Sequence, residues 1–370
     1  MAFKSKRRVC FVTGTRAEFG LMRSVLEAIG KHPRLKLQIV VTGMHLSSTH
    51  GRTIESIGDL DAVVPWRGGD LAEAAGAATA GLARAFKKLR PDVVMVVGDR
   101  AEAFAGAAAA CLGNRVVAHI HGGDRALGQV DDSLRHAISK LAHVHFPATA
   151  ESAARLKRLG EQAWRIHTVG SPGIDGITRI AADRATLRKE FPGIEPRRYA
   201  LLVLHPIDAD EALEHRRARI VLSGTLAADV DRVILVYPNN DPGSAAIIRC
   251  WERAASDPRC VVRRNLTREV FLGLLRDAAV LVGNSSAGVI EAGSFGTPVV
   301  DVGPRQLGRQ RNENTRNVPY DSAAVKAAIR KRRVGKRRNI YGGGNAGRKI
   351  ADILGRLRID AKLTRKLIAY

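Results

Sequence analysis

Residues 119–137 read HIHGGDRALGQVDDSLRHA, placing three histidines, three aspartates and two arginines in nineteen positions. The apolar run just before them, residues 116–118, predicts a buried strand leading straight into this ionisable stretch. Unpaired charges are costly to bury, so the stretch either neutralises itself or performs chemistry. Asp124, Asp131 and Asp132 are joined by Asp99 in VVGDRAEAF (residues 96–104), and the tetrad GDRA occurs twice, at 98–101 and 123–126. If each tetrad follows a strand, and the two strands are parallel neighbours about 4.8 Å apart, Asp99 and Asp124 can share a pocket. Capping of the following helices accounts for one or two of these aspartates; four exceed that need. Carboxylates held close together push one another's pKa values apart, so one can remove a proton while another donates one. The four are candidate catalytic groups, with Arg135 and His136 as counter-ions.

A second set of residues suits an anionic ligand. VTGTRAEFG (residues 12–20) puts Arg16 in a tight turn between a strand and a helix, where an anion is welcome; pairing with Glu18 is the structural alternative. The turn lacks G-x-G-x-x-G, so no dinucleotide fingerprint is present. Arg100 follows Asp99, His205 ends the run ALLVLHP (200–206), and Asn239 lies at the end of VILVYPNN (233–240). GNSSAGVIEAGSFGTPVV (283–300) carries the strongest phosphate signal. There a small-residue turn with Ser285 and Ser286 opens a helix whose free N–H groups can cradle a diphosphate. Glu291, about one and a half turns in, suits ribose hydroxyls. GPRQLGRQR (303–311) then brings Arg305 off the next strand. No His and Cys spacing of a metal site is present, and neither a metal nor a cofactor is expected.

These residues need strands to present them. β-Branched and leucine-rich runs predict strands at 9–13, 37–41, 93–97, 116–119 and 144–146, then at 200–206, 233–240, 260–264, 279–286 and 298–303. Helical stretches such as 70–88 and 101–112 alternate with them. The pattern predicts an α/β protein of two facing Rossmann-like, doubly wound domains, with ligand at the carboxyl ends of the strands. The expected boundaries are 1–172 for a domain carrying the catalytic carboxylates and 173–346 for a nucleotide-binding domain. Residues 347–370 form a terminal segment with one helix near 348–363, free to cross back to the first domain. Hydrophobic residues make up 45% and aromatics 5%, so Ala, Val, Leu and Ile build the core.

No apolar run reaches the roughly 18 residues of a bilayer span, and MAFKSKRRVCFVTG reads as a first strand, not a signal peptide. Four scattered cysteines without a C-x-x-C pair suit a reduced, cytoplasmic protein. Lys and Arg number 60 against 36 Asp and Glu, a net charge of +24. Residues 322–350 contain no acidic side chain, and RKRRVGKRR (330–338) is seven-ninths cationic. Such charge attracts polyanions. Since no aromatic residues interleave to stack bases, nucleic acid is not the expected partner; a small-molecule substrate is, and a two-fold homodimer is the default assembly.

TGTRAEFG, VTGMHLSSTHG, GDRAE, HIHGGD followed by DDSLRHAI, LHP and GNSSAGVIEAGSFGTPVV occur in that order. In this series the chain resembles the hydrolysing UDP-N-acetylglucosamine 2-epimerases over nearly its whole length. The resemblance implies the GT-B architecture and a nucleotide-sugar substrate, with nucleotide contacts at Arg16, His205, Ser285, Ser286 and Glu291. It implies catalysis at Asp99, Asp131 and Asp132, with His45 of GMHLS near the sugar. The family pattern carries glutamate where Asp124 stands, a side chain one methylene longer. The implied reaction is elimination to a glycal and rehydration, giving UDP and a free ManNAc-type sugar for sialic-acid synthesis. Relatives act on the 2,4-diacetamido sugar diacetylbacillosamine of the legionaminic acid pathway, and UDP or GDP can carry the sugar. The alternatives are a non-hydrolysing 2-epimerase, a GT-B glycosyltransferase and a basic nucleic-acid-binding protein.

Overall fold

Runs of Val, Ile and Leu too apolar for a half-exposed sheet should lie in parallel sheets covered on both faces, and they do. The computed structural model describes residues 6–46, 53–125, 131–239 and 241–370. Parts of VTGMHLSSTHG and of the 119–137 stretch lie outside the described residues. The chain divides into two compact units, residues 1–175 with 341–370, and residues 176–340.

The first unit contains β1 (Arg7–Thr13), α1 (Arg16–Lys31), β2 (Leu35–Val41), β3 (Ala62–Val63), α2 (Leu71–Leu89), β4 (Val93–Val97), α3 (Ala101–Leu112), β5 (Val116–Ile120), α4 (Asp131–Leu141), β6 (Val144–Phe146) and α5 (Ala150–Arg158). Its six strands run in the order β3-β2-β1-β4-β5-β6, all parallel. Every residue of β4 and β5 is buried. On one sheet face Phe11, Met22, Ile29 and Phe146 pack together; on the other, the alanine-rich α3 and α2 bring Leu82 and Phe86 onto Val94 and Val96.

The second unit contains α6 (Ile177–Ile180), α7 (Arg184–Glu190), β7 (Tyr199–Val203), α8 (Glu211–Leu226), β8 (Arg232–Val236), α9 (Ser244–Ala254), β9 (Cys260–Arg263), α10 (Arg268–Asp277), β10 (Val280–Gly283), α11 (Ser286–Ile290), β11 (Val299–Val302), β12 (Thr315–Val318) and α12 (Ser322–Arg330). Its sheet order is β12-β11-β10-β7-β8-β9, the same sequence of crossovers as in the first sheet. Both units are thus doubly wound and Rossmann-like. β12 carries no apolar run: its middle residues are exposed, as an edge strand permits.

The chain then returns to the first unit as α13 (Ala346–Arg356) and α14 (Ala361–Thr364). The Asp175 carboxylate caps α13 by accepting from Ala346 N at 2.9 Å and Gly347 N at 2.7 Å, and Ile350 and Leu354 join the core around Met22. The single helix expected near 348–363 is broken. Arg7 takes the carbonyls of Leu354 and Leu357. Asp360 turns its carboxylate back to accept from Leu363 N at 3.0 Å, starting α14 as its N-cap.

Candidate active site

In the first unit Asp99 and Asp124 follow the ends of β4 and β5, which lie side by side in the sheet with Val97 opposite Ile120, and Asp132 lies near them on α4. Asp99 sits in the turn between β4 and α3; the N-cap position of α3 is Arg100, without a side-chain cap, so capping does not explain Asp99. Its carboxylate meets the Arg135 guanidinium. Arg135, 3% exposed, also donates to the His121 carbonyl at 3.2 Å and lies 3.7 Å from Asp132. Asp131 is the first residue of α4.

Asp124 is held from both sides. Its Oδ2 lies 2.7 Å from His121 Nδ1, and its Oδ1 accepts from Ser152 Oγ at 2.7 Å. The carboxylate fixes the proton of His121 on Nδ1, so Nε2 accepts from the Ser171 hydroxyl at 3.1 Å. His121 adopts φ 62°, an unusual conformation for a side-chain-bearing residue, which the Asp124 and Ser171 bonds help to hold. Arg135 therefore links Asp99 to the residue that carries Asp124.

A second acidic pair lies under the ends of β1 and β2. Glu102 is 4% exposed and packs against Gly14 and Gly43, where an added Cβ would come within 2.7 Å and 2.5 Å of it; Gly43 also has φ +63°. Arg100 donates to Glu102 Oε2 at 3.3 Å. Glu18 turns to the backbone instead of pairing with Arg16, accepting from Gly14 N at 2.9 Å and Thr15 N at 3.1 Å. This is a capping box with Thr15, readable from the T-x-x-E spacing. Burial, reinforced by Glu102, pushes the Glu18 carboxyl up to about 7. Arg16, exposed, opens α1 beside this turn. His45 is fully buried, with Nε2 at 3.0 Å from Thr13 Oγ1, and burial lowers its pKa.

The second unit builds its strand ends around Asn284, a residue whose role the sequence reading missed. Asn284 Oδ1 accepts from His205 N at 2.7 Å, and its Nδ2 donates to His205 O at 2.8 Å. Its own carbonyl accepts from Arg305 at 3.2 Å and Gln306 at 2.9 Å. His205 Nδ1 accepts from Asn239 N at 3.0 Å, which leaves the proton on Nε2. Burial and then Arg305 lower its pKa to about 4. The residue is a neutral donor at neutral pH.

Gly283, at φ +126°, approaches the Val203 carbonyl so closely that a Cβ would lie 2.0 Å from it; only glycine fits. Ser285 is the N-cap of α11, accepting from Ala287 N at 3.4 Å, and Ser286 is its first residue. α11 has only 5 residues, so Glu291 stands at its C-cap, not inside a longer helix. Its carboxylate accepts from Arg268 at 2.9 Å. Among the described residues no group of three His, Cys, Asp or Glu side chains is placed to hold a metal ion.

The profile of the UDP-N-acetylglucosamine 2-epimerase family matches residues 27–355. The UDP-N,N'-diacetylbacillosamine 2-epimerase (hydrolyzing) of Legionella pneumophila is 35% identical over 98% of this chain and 100% of its own. The GDP/UDP-N,N'-diacetylbacillosamine 2-epimerase (hydrolyzing) of Campylobacter jejuni is 30% identical over 84% of each. Among solved structures, the UDP-GlcNAc 2-epimerase of Neisseria meningitidis bound to UDP-GlcNAc shares the fold with a TM-score of 0.80 and 19% identity, covering 94% of this chain and 99% of its own.

Proposed function

Because this chain belongs to the UDP-N-acetylglucosamine 2-epimerase family, we propose that it is a hydrolysing 2-epimerase of a nucleotide-linked 2-acetamido sugar. The substrate is UDP-GlcNAc or its 2,4-diacetamido analogue, and the products are the free 2-epimer and UDP. The hydrolysing outcome is supported by the HIHGGD and DDSLRH stretches and by the likeness to the hydrolysing enzyme of Legionella pneumophila. One observation carries the reading: Asp99 and Asp124 are both fixed by cationic or proton-passing partners, Arg135 and His121.

The proton on the sugar's second carbon has no carbonyl beside it. It becomes removable as the bond from the anomeric carbon to the diphosphate oxygen breaks. Asp99, with Asp131 and Asp132, stabilises the positive charge developing at the anomeric carbon, and one of the carboxylates takes the proton, leaving a glycal and UDP. Water then adds to the anomeric carbon while a proton returns to the second carbon on the opposite face. Asp124, with His121 behind it, is suited to that transfer. His45 and Arg100 border the sugar, and Arg16 meets the diphosphate. In the second unit, His205 Nε2–H, Arg305, Ser285 and Ser286 donate to the departing UDP, while Glu291 and Asn239 hold the nucleoside.

A panel of UDP- and GDP-linked 2-acetamido sugars, with products read by NMR, tests the reading. Equal amounts of nucleoside diphosphate and free 2-epimer are expected. Nucleotide-linked epimer as the sole product overturns hydrolysis, and turnover that requires an added acceptor makes the chain a glycosyltransferase.

A further inference from the structure

We propose that the carboxyl-terminal tail belongs to the catalytic apparatus, with Lys366 as a positioning residue that sets the Asp99 turn through α4. The proposal rests on Asp99 acting as read above. The tail is locked in place from several sides. Arg165, 1% exposed, donates to the carbonyls of Lys362 at 2.8 Å and Leu363 at 2.7 Å, gathering the free end of α14. Leu363 is buried in the core of the first unit, and Ala369 N donates to Gly160 O at 2.9 Å.

Between these anchors Lys366 is driven inward, its side chain 16% exposed. An ammonium group there needs all three of its donors satisfied. It finds Glu161 Oε2 at 2.6 Å, Ser139 O at 2.9 Å and Lys140 O at 2.9 Å. The last two are carbonyls of the final turn of α4, where the i+4 ladder runs out and Ser139 O takes only a long 3.3 Å bond from Ala142 N; a cation there complements the helix dipole. Glu161 is in turn fixed by His145 at 2.9 Å. A tail that merely covered apolar surface would not need to bury a charge at this point.

From Ser139 the bonds lead on to Asp99. The Ser139 hydroxyl lies 3.1 Å from His119 Nδ1, and His119 Nε2 lies 2.8 Å from the carbonyl of Gly98. A carbonyl only accepts, so Nε2 carries the proton and Nδ1 takes the serine hydroxyl; burial, lowering this imidazole's pKa to about 3, keeps it neutral. Gly98, at φ +75°, is the residue before Asp99. Arg135, which grips the Asp99 carboxylate, stands four residues before Ser139 and so on the same face of α4. The turn bearing Asp99 is thus held at two points by one helix face, and Lys366 fixes the end of that helix.

Two measurements on Lys366→Met, Lys366→Arg and the control Lys140→Met test this. In Lys366→Met, kcat is expected to fall at least about tenfold, as small misplacements of a reacting group do. KM and the affinity for UDP should stay within about twofold, and arginine should restore most of the rate. Lys140, more exposed and bonded to Glu161 without touching the Ser139 carbonyl, should leave kcat unchanged. Independently of turnover, amide exchange in residues 98–100 should accelerate in Lys366→Met. Unchanged exchange at 98–100 overturns the proposal even if the chain proves to act on another substrate. So does unchanged kcat with a lowered melting point, which would make the tail a stabilising strap alone. If Lys366→Met does not fold, Lys366→Gln, which is one bond shorter and loses the charge that meets Glu161, is read by the same signals: faster exchange at 98–100 with a lowered kcat supports the proposal, and exchange or kcat equal to wild type overturns it.

Discussion

The carboxyl ends of the two sheets are built on the same strand order and carry opposite chemistry. In the first unit the rim is acidic: Arg135, 36 residues along the chain, pairs with Asp99, and His121, three residues away, holds Asp124 by a hydrogen bond. In the second the rim is held by one buried amide, Asn284, which bonds to the backbone on both sides of a neutral imidazole. A doubly wound sheet supplies a location for chemistry and leaves its sign to the side chains. The acidic rim suits proton transfer and a cation-like transition state; the rim with the His205 Nε2–H and arginine suits a leaving diphosphate.

That contrast breaks most sharply at Asp99. Asp99→Asn should lower kcat by about a thousandfold, within the usual range for a lost acid–base group, while UDP affinity, measured by titration calorimetry, stays unchanged. A parallel loss of UDP affinity would mean that the two rims are not separate in role. Glu291→Ala should do the reverse and weaken UDP binding about tenfold, about 1.4 kcal/mol, with kcat at saturation within about threefold.

Acid should separate the units next. Burial lowers the imidazole pKa of His119 to about 3 and of His143 to about 4 in the first unit, and of His205 to about 4 in the second. The unfolded chain protonates its histidines near 6.5, so this stability is present above pH 6.5 and is lost as pH falls toward 4. Glu18 opposes it: with a folded pKa near 7, its contribution is present below about pH 4.5 and lost as pH rises through 7. Burial also lowers the pKa of His45, His145 and His167, so five histidines outweigh Glu18 in the first unit against one histidine in the second, and the first unit is the more acid-sensitive. Amide exchange at pH 7 and pH 4.5 should show protection of β5 falling more than that of β10; equal losses would contradict it. The smallest effect should come from the caps. Thr15→Ala, which removes half of a capping box, should cost about 1 kcal/mol of stability in urea denaturation. Ser285→Ala, whose bond is long at 3.4 Å on a short helix, should cost less.

Much of this was visible in the residues themselves. The repeated GDRA placed Asp99 and Asp124 at adjoining strand ends, and Gly283–Ser286 placed a capped turn. β3 and β12 were invisible because two residues, or four with exposed middle positions, leave no apolar period. The role of Asn284 was hidden inside a motif that reads as a phosphate turn, since an amide that bonds to backbone on both sides has no spacing of its own.

Local order is written in the sequence because helix periods, strand runs, caps and glycine turns act over a few residues, and so the α/β class, the strand-end location of the acids and the family series could be read directly. Which charge meets which was settled only by the folded chain. Lys366 reaches Ser139 across 227 positions and Arg135 reaches Asp99 across 36. Such pairs form because burial makes an unpartnered charge intolerable, and the nearest partner is chosen by packing and not by spacing.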